Sequence, residues 1–176
     1  MLTDISYRNY RRSDDIHGTV LYPAVMVAPV QKDILADLSK QDTINRILDP
    51  FHGSGTALYE SHLVFPEAEI LGCDINPFAN LITRAKLTGV APNIENDIES
   101  IMRRLREKDT DVIYEFPNRE KWFRDDIAQS LTKIRDAIRT VATTENRIFF
   151  WCMMSDVVRR YSNTRSSTYK LHVKPP

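Results

Sequence analysis

The sequence predicts an α/β fold, a parallel sheet with flanking helices that is incomplete as it stands, followed by a helical C-terminal half. Three observations carry this. Two apolar strand-like runs, Ile44–Leu48 and Glu69–Cys73, each end at an aspartate, Asp49 and Asp74, 25 residues apart. A glycine turn and a helix-compatible stretch lie between them, the strand–helix–strand order of a parallel pair. After Gly89 the apolar residues recur at helical spacing.

Residues 1–20 are polar and charged, including Tyr7-Arg8-Asn9-Tyr10-Arg11-Arg12, and are expected to form a solvated arm, or alternatively a basic-aromatic contact surface. Residues 21–90 are the expected cofactor-binding core. Pro23 and Pro29 forbid a continuous helix between them. Ile34, Leu35 and Leu38 suggest a short helix over 30–38 packed by one face. The first strand follows, then Gly53-Ser54-Gly55 and a helix over 56–64. After the second strand, Pro77 suits the first turn of a third helix, because its missing N–H is not needed there.

Residues 91–176 are expected to be helical with a basic tail. Ile94, Ile98, Ile101 and Leu105 mark one helical face, with Arg103, Arg104, Arg106 and Lys108 opposite. Ile127, Leu131, Ile134, Ile138 and Val141 mark another. A third helix is expected over 149–159, and Asp111–Phe116 is a candidate strand. A finished doubly wound sheet needs about five to seven strands, and the sequence offers two clear ones and this third.

Composition bounds the partners. Lys plus Arg equals Asp plus Glu at 24 each, so bulk charge does not argue for nucleic acid. No run approaches the ~18 apolar residues of a membrane span, and no signal core follows Met1, so the chain reads as cytoplasmic or nucleoid-associated. Cys73 and Cys152 fit a reducing compartment, a single disulfide being the alternative. No metal-ligand spacing surrounds them, and no metal site is expected.

The two aspartate loops carry the chemistry. Gly53 and Gly55 permit a sharp turn and a close ligand approach, because no Cβ intervenes. A nucleoside-triphosphate loop would follow them with Lys-Ser/Thr, and a dinucleotide fingerprint would place a third glycine at position 58. Here Thr56-Ala57-Leu58 follows. Asp49 would repel a phosphate but can accept a hydrogen bond from an ammonium. Asp74, at the tip of the next strand, stands where an acid binds ribose hydroxyls. Ile75 and Pro77 offer an apolar surface to an adenine. An acid for an amine, glycines for close approach and an acid for a ribose fit S-adenosylmethionine. Taken singly, the glycines could be only a turn and the aspartate only a helix cap.

Asp49-Pro50-Phe51-His52-Gly53-Ser54-Gly55-Thr56 with Gly72-Cys73-Asp74-Ile75-Asn76-Pro77 resembles the S-adenosylmethionine-dependent amino-methyltransferases of DNA, which act on adenine N6 or cytosine N4. The resemblance implies a Rossmann-like methyltransferase fold. It spans residues 16–87 and continues weakly through Trp122-Phe123 and Tyr161–Arg165. It implies a cofactor set of Tyr22, Pro23, Asp49, Pro50, Phe51, Gly53, Ser54, Gly55, Thr56, Asp74, Ile75 and Asn76, with the segment around Tyr22 over the methionine end. The Asn/Asp/Ser-Pro-Pro-aromatic tetrapeptide of this family, which engages a flipped base, does not occur; the only Pro-Pro is Pro175-Pro176. No catalytic residue can therefore be assigned, and the loop is expected from a longer chain or a partner subunit. DNA is the expected substrate, with RNA as the alternative. A restriction-modification or phage-type setting is implied. A non-catalytic regulatory subunit is the reading outside enzymes. Arg159, Arg160, Asn163, Arg165 and Lys170, interleaved with hydroxyls and tyrosines, are the candidate nucleic-acid contacts. Trp122-Phe123, His17 and His52 are read as packing or loop residues.

Overall fold

The computed structural model describes residues 7–23, 25–107 and 112–164. The chain divides into two compact units, with the boundary between Thr88 and Gly89.

In the first unit, two short 3-10 turns, Arg12–Asp14 and Ile16–Gly18, precede helix α1 (Ala28–Ser39). Pro29 sits in its first turn, as its fixed φ favours. Strand β1 (Arg46–Asp49), helix α2 (Thr56–Val64), strand β2 (Glu69–Gly72) and helix α3 (Pro77–Thr88) follow. The strands pair in parallel, with Ile47 opposite Ile70 and Leu48 opposite Leu71. The β1–α2–β2 order is the expected βαβ unit. Its core is Leu58, Ala79 and Ile82, joined by Val20, Ala28, Phe65 and the imidazole of His17.

Gly72 has its place for a packing reason: a Cβ there would lie 2.4 Å from Leu58 Cδ1. Gly72 pairs with Asp49, so α2 covers the face carrying Asp49, Ile47 and Ile70. The opposite face carries Leu48 and Leu71, which are 66% and 42% exposed.

The second unit comprises α4 (Ile94–Glu107), a single turn α5 (Arg119–Trp122), α6 (Asp125–Arg139) and α7 (Thr144–Tyr161). α6 packs on both α4 and α7. Its core holds Phe123, Ala128, Ala137, Ile138, Val141, Ile148, Cys152 and Met154. Asn146 is fully buried there. Its Oδ1 accepts the Ala91 N–H at 2.8 Å, and its Nδ2 donates to Asn93 Oδ1 at 3.1 Å and Asp97 Oδ2 at 2.7 Å. These bonds tie the start of α7 to the approach and first turn of α4.

The described chain is thus mostly helical, with one small parallel sheet. Among the described residues no helix is long and apolar enough to cross a membrane. Three expectations need correction. Residues 112–116 are not a strand: the Tyr114 N–H goes to the Thr132 hydroxyl at 2.9 Å, a side chain of α6, rather than to a neighbouring strand. The described part of residues 1–20 is not simply a solvated arm, because His17 and Val20 are buried. α1 does not pack by the whole Ile34, Leu35 and Leu38 face: Leu35 is half-buried but Ile34 and Leu38 are exposed, while Ala28, at its start, is buried. Trp122-Phe123 does pack as expected, with Phe123 buried and Trp122 half-buried.

Candidate functional site

The site is built where both strands end. Pairing continues past them: the Cys73 N–H donates to the Asp49 carbonyl at 3.1 Å, and the His52 N–H donates to the Cys73 carbonyl at 3.3 Å. The Asp49–Gly53 and Cys73–Asn76 segments therefore run side by side. Asp49 Oδ1 accepts the Phe51 N–H at 3.1 Å, a local turn that leaves most of the carboxylate's acceptor capacity unused. Gly53 and Gly55 take left-handed φ values of 53° and 72°. The Gly55 N–H closes the turn on the His52 carbonyl at 2.8 Å.

Asp74 binds the neighbouring loop to its own. Its Oδ2 accepts the Gly53 N–H at 2.9 Å and its Oδ1 accepts the Asn76 N–H at 2.8 Å. These two donors, Asn76 first, hold its carboxyl below the ordinary carboxylate range, against a smaller opposing effect of burial. Each oxygen keeps a further lone pair. Tyr22 closes the third side, its hydroxyl accepting from Asn76 Nδ2 at 3.5 Å and its ring packed on Phe78. Tyr22 is also the neighbour of Gly53, where an added Cβ would lie 3.6 Å from its ring.

Of the expected cofactor residues, Tyr22, Asp49, Gly53, Asp74 and Asn76 thus converge. Ser54, Gly55 and Thr56 are buried beneath the loop. The Thr56 hydroxyl is buried without a hydrogen-bond partner. Phe51 and Ile75 stand out from the loop tips, 87% and fully exposed, and Pro23 and Pro50 are also exposed.

Three residues that support the site were not singled out for it from the sequence. His52, 5% exposed, bonds Asn80 Oδ1 through Nε2 at 2.9 Å and meets Thr83 Oγ1 through Nδ1 at 3.1 Å. Asn80 Nδ2 donates to the Asp74 carbonyl at 2.8 Å, and the Thr83 hydroxyl donates to the Gly53 carbonyl at 3.2 Å. The signal was present: Asn76, Asn80 and Thr83 sit at i, i+4 and i+7, a polar stripe on one helical face.

The expected nucleic-acid residues lie in the second unit. Arg159 and Arg160 both pair with Asp156, the first at 3.2 Å. Asn163 holds chain to chain, its N–H on the Trp122 carbonyl at 2.7 Å and its Nδ2 on the Lys121 carbonyl at 3.3 Å. Arg165 and Lys170 lie outside the described residues. Cys73, exposed, and Cys152, buried, are not joined in a disulfide, and among the described residues no His, Cys, Asp and Glu cluster could hold a metal.

A βαβ unit with acids at both strand tips and a glycine turn between them presents open acceptors of the kind that hydroxyl or ammonium donors would meet. Comparison with known proteins sharpens this. The chain is 28% identical over 186 residues to the type II methyltransferase M.MvaI of Kocuria varians, covering 98% of this chain and 40% of that protein. It is 33% identical over 71 residues to the type II methyltransferase M.XamI of Xanthomonas campestris pv. amaranthicola, covering 40% of this chain and 13% of that one. The resemblance read from the two loops is borne out at the level of a methyltransferase: the chain is similar to one type II methyltransferase over nearly its whole length and to a second over 40% of it, and it spans less than half the length of either. No family model and no solved structure matches it.

Proposed function

We propose that the chain is the S-adenosylmethionine-binding portion of a DNA methyltransferase of Rossmann-like fold. The enzyme would transfer a methyl group to an exocyclic amine of adenine or cytosine. The observation that carries the reading is the closure of Asp49, Gly53, Asp74 and Tyr22 at the adjacent ends of two parallel strands.

The residues fit such a cofactor. Asp74 retains lone pairs for ribose hydroxyls while its other lone pairs hold the loop. Asp49 would accept the methionyl ammonium. Gly53 has no Cβ to block approach, and Tyr22 and Pro23 would hold the methionine end. Phe51 and Ile75, exposed at the loop tips, would offer apolar surfaces to the adenine. The unpartnered Thr56 hydroxyl is an orphaned polar group at the foot of the same loop, and Ser54 shapes its base. S-adenosylmethionine supplies an electrophilic methyl group when bound; these residues contribute orientation and electrostatics.

The catalytic loop would come from a longer polypeptide or a partner subunit. The bare sheet face supports this. Parallel sheets are ordinarily covered on both faces, yet Leu48 and Leu71 stand side by side and open. DNA would be met partly by the second unit, through Arg159, Arg160 and the exposed Arg103, Arg104 and Arg106 of α4, with binding that weakens steeply as salt rises.

Calorimetric titration with S-adenosylmethionine tests the reading. Saturable binding by the wild type, lost in Asp74→Ala with the fold retained, is the expected result. Equal binding by wild type and variant would remove Asp74, and with it the site, from the account.

A further inference from the structure

Behind the glycine turn lies a buried ionic relay that no feature of the two motifs signals. His17 is 1% exposed and Glu60 6%. His17 Nε2 lies 2.9 Å from Glu60 Oε1, and its Nδ1 lies 3.1 Å from Lys86 Nζ. Lys86 Nζ in turn donates to the Ser54 carbonyl at 2.7 Å. The His17 and Tyr59 rings meet nearly at right angles, with centroids 5.4 Å apart. Asp15 Oδ1 lies 3.8 Å from Nε2.

The chemistry orders these contacts in one direction. An ammonium has only donors, so His17 Nδ1 must accept from Lys86. The imidazole proton is then on Nε2 and is donated to the Glu60 carboxylate. Glu60, with Asp15 as a more distant and more exposed second carboxylate, faces Lys86 across the ring, the opposite-charge pairing under which buried charges are tolerated. The three side chains come from the 3-10 turn Ile16–Gly18, α2 and α3. What their relay delivers is a charged donor to the carbonyl of Ser54, the residue between the two left-handed glycines. The peptide joining Ser54 and Gly55 is then held at both ends, its C=O by Lys86 and its N–H by the His52 carbonyl at 2.8 Å. Thr83, three residues before Lys86, holds the Gly53 carbonyl in the same way.

We infer that Lys86, oriented by His17 and Glu60, is a positioning residue that fixes the Ser54–Gly55 peptide and so pre-shapes the glycine loop for the cofactor. The inference rests on the cofactor reading above.

The test compares Lys86→Met, Lys86→Arg and, as a stability control in the same helix, Ile82→Ala. S-adenosylmethionine affinity and hydrogen exchange at the Gly53 and Gly55 amides are read for each. Losing one charge-assisted bond to the loop should weaken affinity about tenfold in Lys86→Met, with faster Gly55 exchange. Lys86→Arg, which keeps charged donors, should recover most of both. Ile82→Ala should destabilise the unit without changing either. Loss of affinity in Ile82→Ala equal to that in Lys86→Met would reduce the relay to plain stability and overturn the inference. So would unchanged Gly55 exchange in Lys86→Met. Imidazole nitrogen shifts of the wild type give a reading that needs no variant: Nε2-protonated His17 is expected, and an Nδ1-protonated ring would overturn the relay. If the wild type binds no S-adenosylmethionine, the cofactor reading falls, while Gly55 exchange and the tautomer still decide the positioning.

Discussion

Gly53 and Gly55 occupy the same turn in the same left-handed conformation, yet replacing them with alanine should have very different consequences. At Gly53 a Cβ meets only the Tyr22 ring, at an ordinary 3.6 Å. The cost is then the left-handed backbone alone, about 1–2 kcal/mol. At Gly55 the same backbone cost applies, and the Cβ also falls 2.5 Å from Thr83 Oγ1 and 2.6 Å from its Cγ2. Thr83 is 4% exposed and bonded to both His52 and the Gly53 carbonyl, so it cannot turn aside freely. Overpacking of this kind adds about 1–3 kcal/mol, for a total of about 2–5 kcal/mol. Urea unfolding measures the difference. Both tryptophans, Trp122 and Trp151, belong to the second unit, so fluorescence follows that unit. Circular dichroism follows both, and the discrepancy isolates the first. Gly55→Ala should shift the first unit's transition well beyond Gly53→Ala. Adding Thr83→Ala should restore part of the loss, a coupling of about 1 kcal/mol or more. Equal effects of the two glycine variants, with no coupling to Thr83, would refute the packing argument.

Other perturbations give equally distinct outcomes. Asp74 has its folded pKa depressed by the Asn76 and Gly53 N–H groups, so its stabilisation is full above the unfolded carboxylate value of about 4. That stabilisation is lost as pH falls through the lower folded value, and acid titration of Asp74→Asn should show a flatter acid limb for the first unit. Asn146→Ala removes three hydrogen bonds in the second unit and should cost about 2–4 kcal/mol by tryptophan fluorescence. Asn146→Asp, which sets a carboxylate against Asp97, should destabilise that unit near neutral pH and less so in acid. Leu48→Glu with Leu71→Glu alters an exposed face, so the isolated chain should keep its unfolding midpoint. If the face receives further chain or a partner subunit, the double variant should lose methyl transfer in the complete enzyme, and undiminished transfer would argue against that coverage.

The local grammar of the first unit was legible because it is written in neighbouring residues. A β-rich run ending in Asp49, two glycines, a helix and a second run ending in Asp74 need no distant information, and α2 begins and ends where its sequence pattern does. The convergence of Asp49, Gly53 and Asp74 follows from the parallel register. Less legible was whatever depends on contacts across long separations. His17, Glu60 and Lys86 are 43 and 69 residues apart in their bonded pairs, and each alone looks like an ordinary polar residue. Tyr114–Phe116 has the composition of a strand, but its backbone donor is taken by Thr132, a partner 18 residues away. In α1 the apolar periodicity of Ile34 and Leu38 is real, but those residues face outward. Periodicity marks a face without saying what covers it. The missing Pro-Pro-aromatic tetrapeptide was legible at once, since a short motif is either in the chain or not.

The central claim is that the two aspartate loops form a working cofactor site within this chain. Titration calorimetry with S-adenosylmethionine, run on wild type and Asp74→Ala, tests it most directly. The account predicts saturable one-to-one binding by the wild type and none by the variant, with circular dichroism unchanged between them. A folded wild-type chain that takes up no S-adenosylmethionine would contradict it.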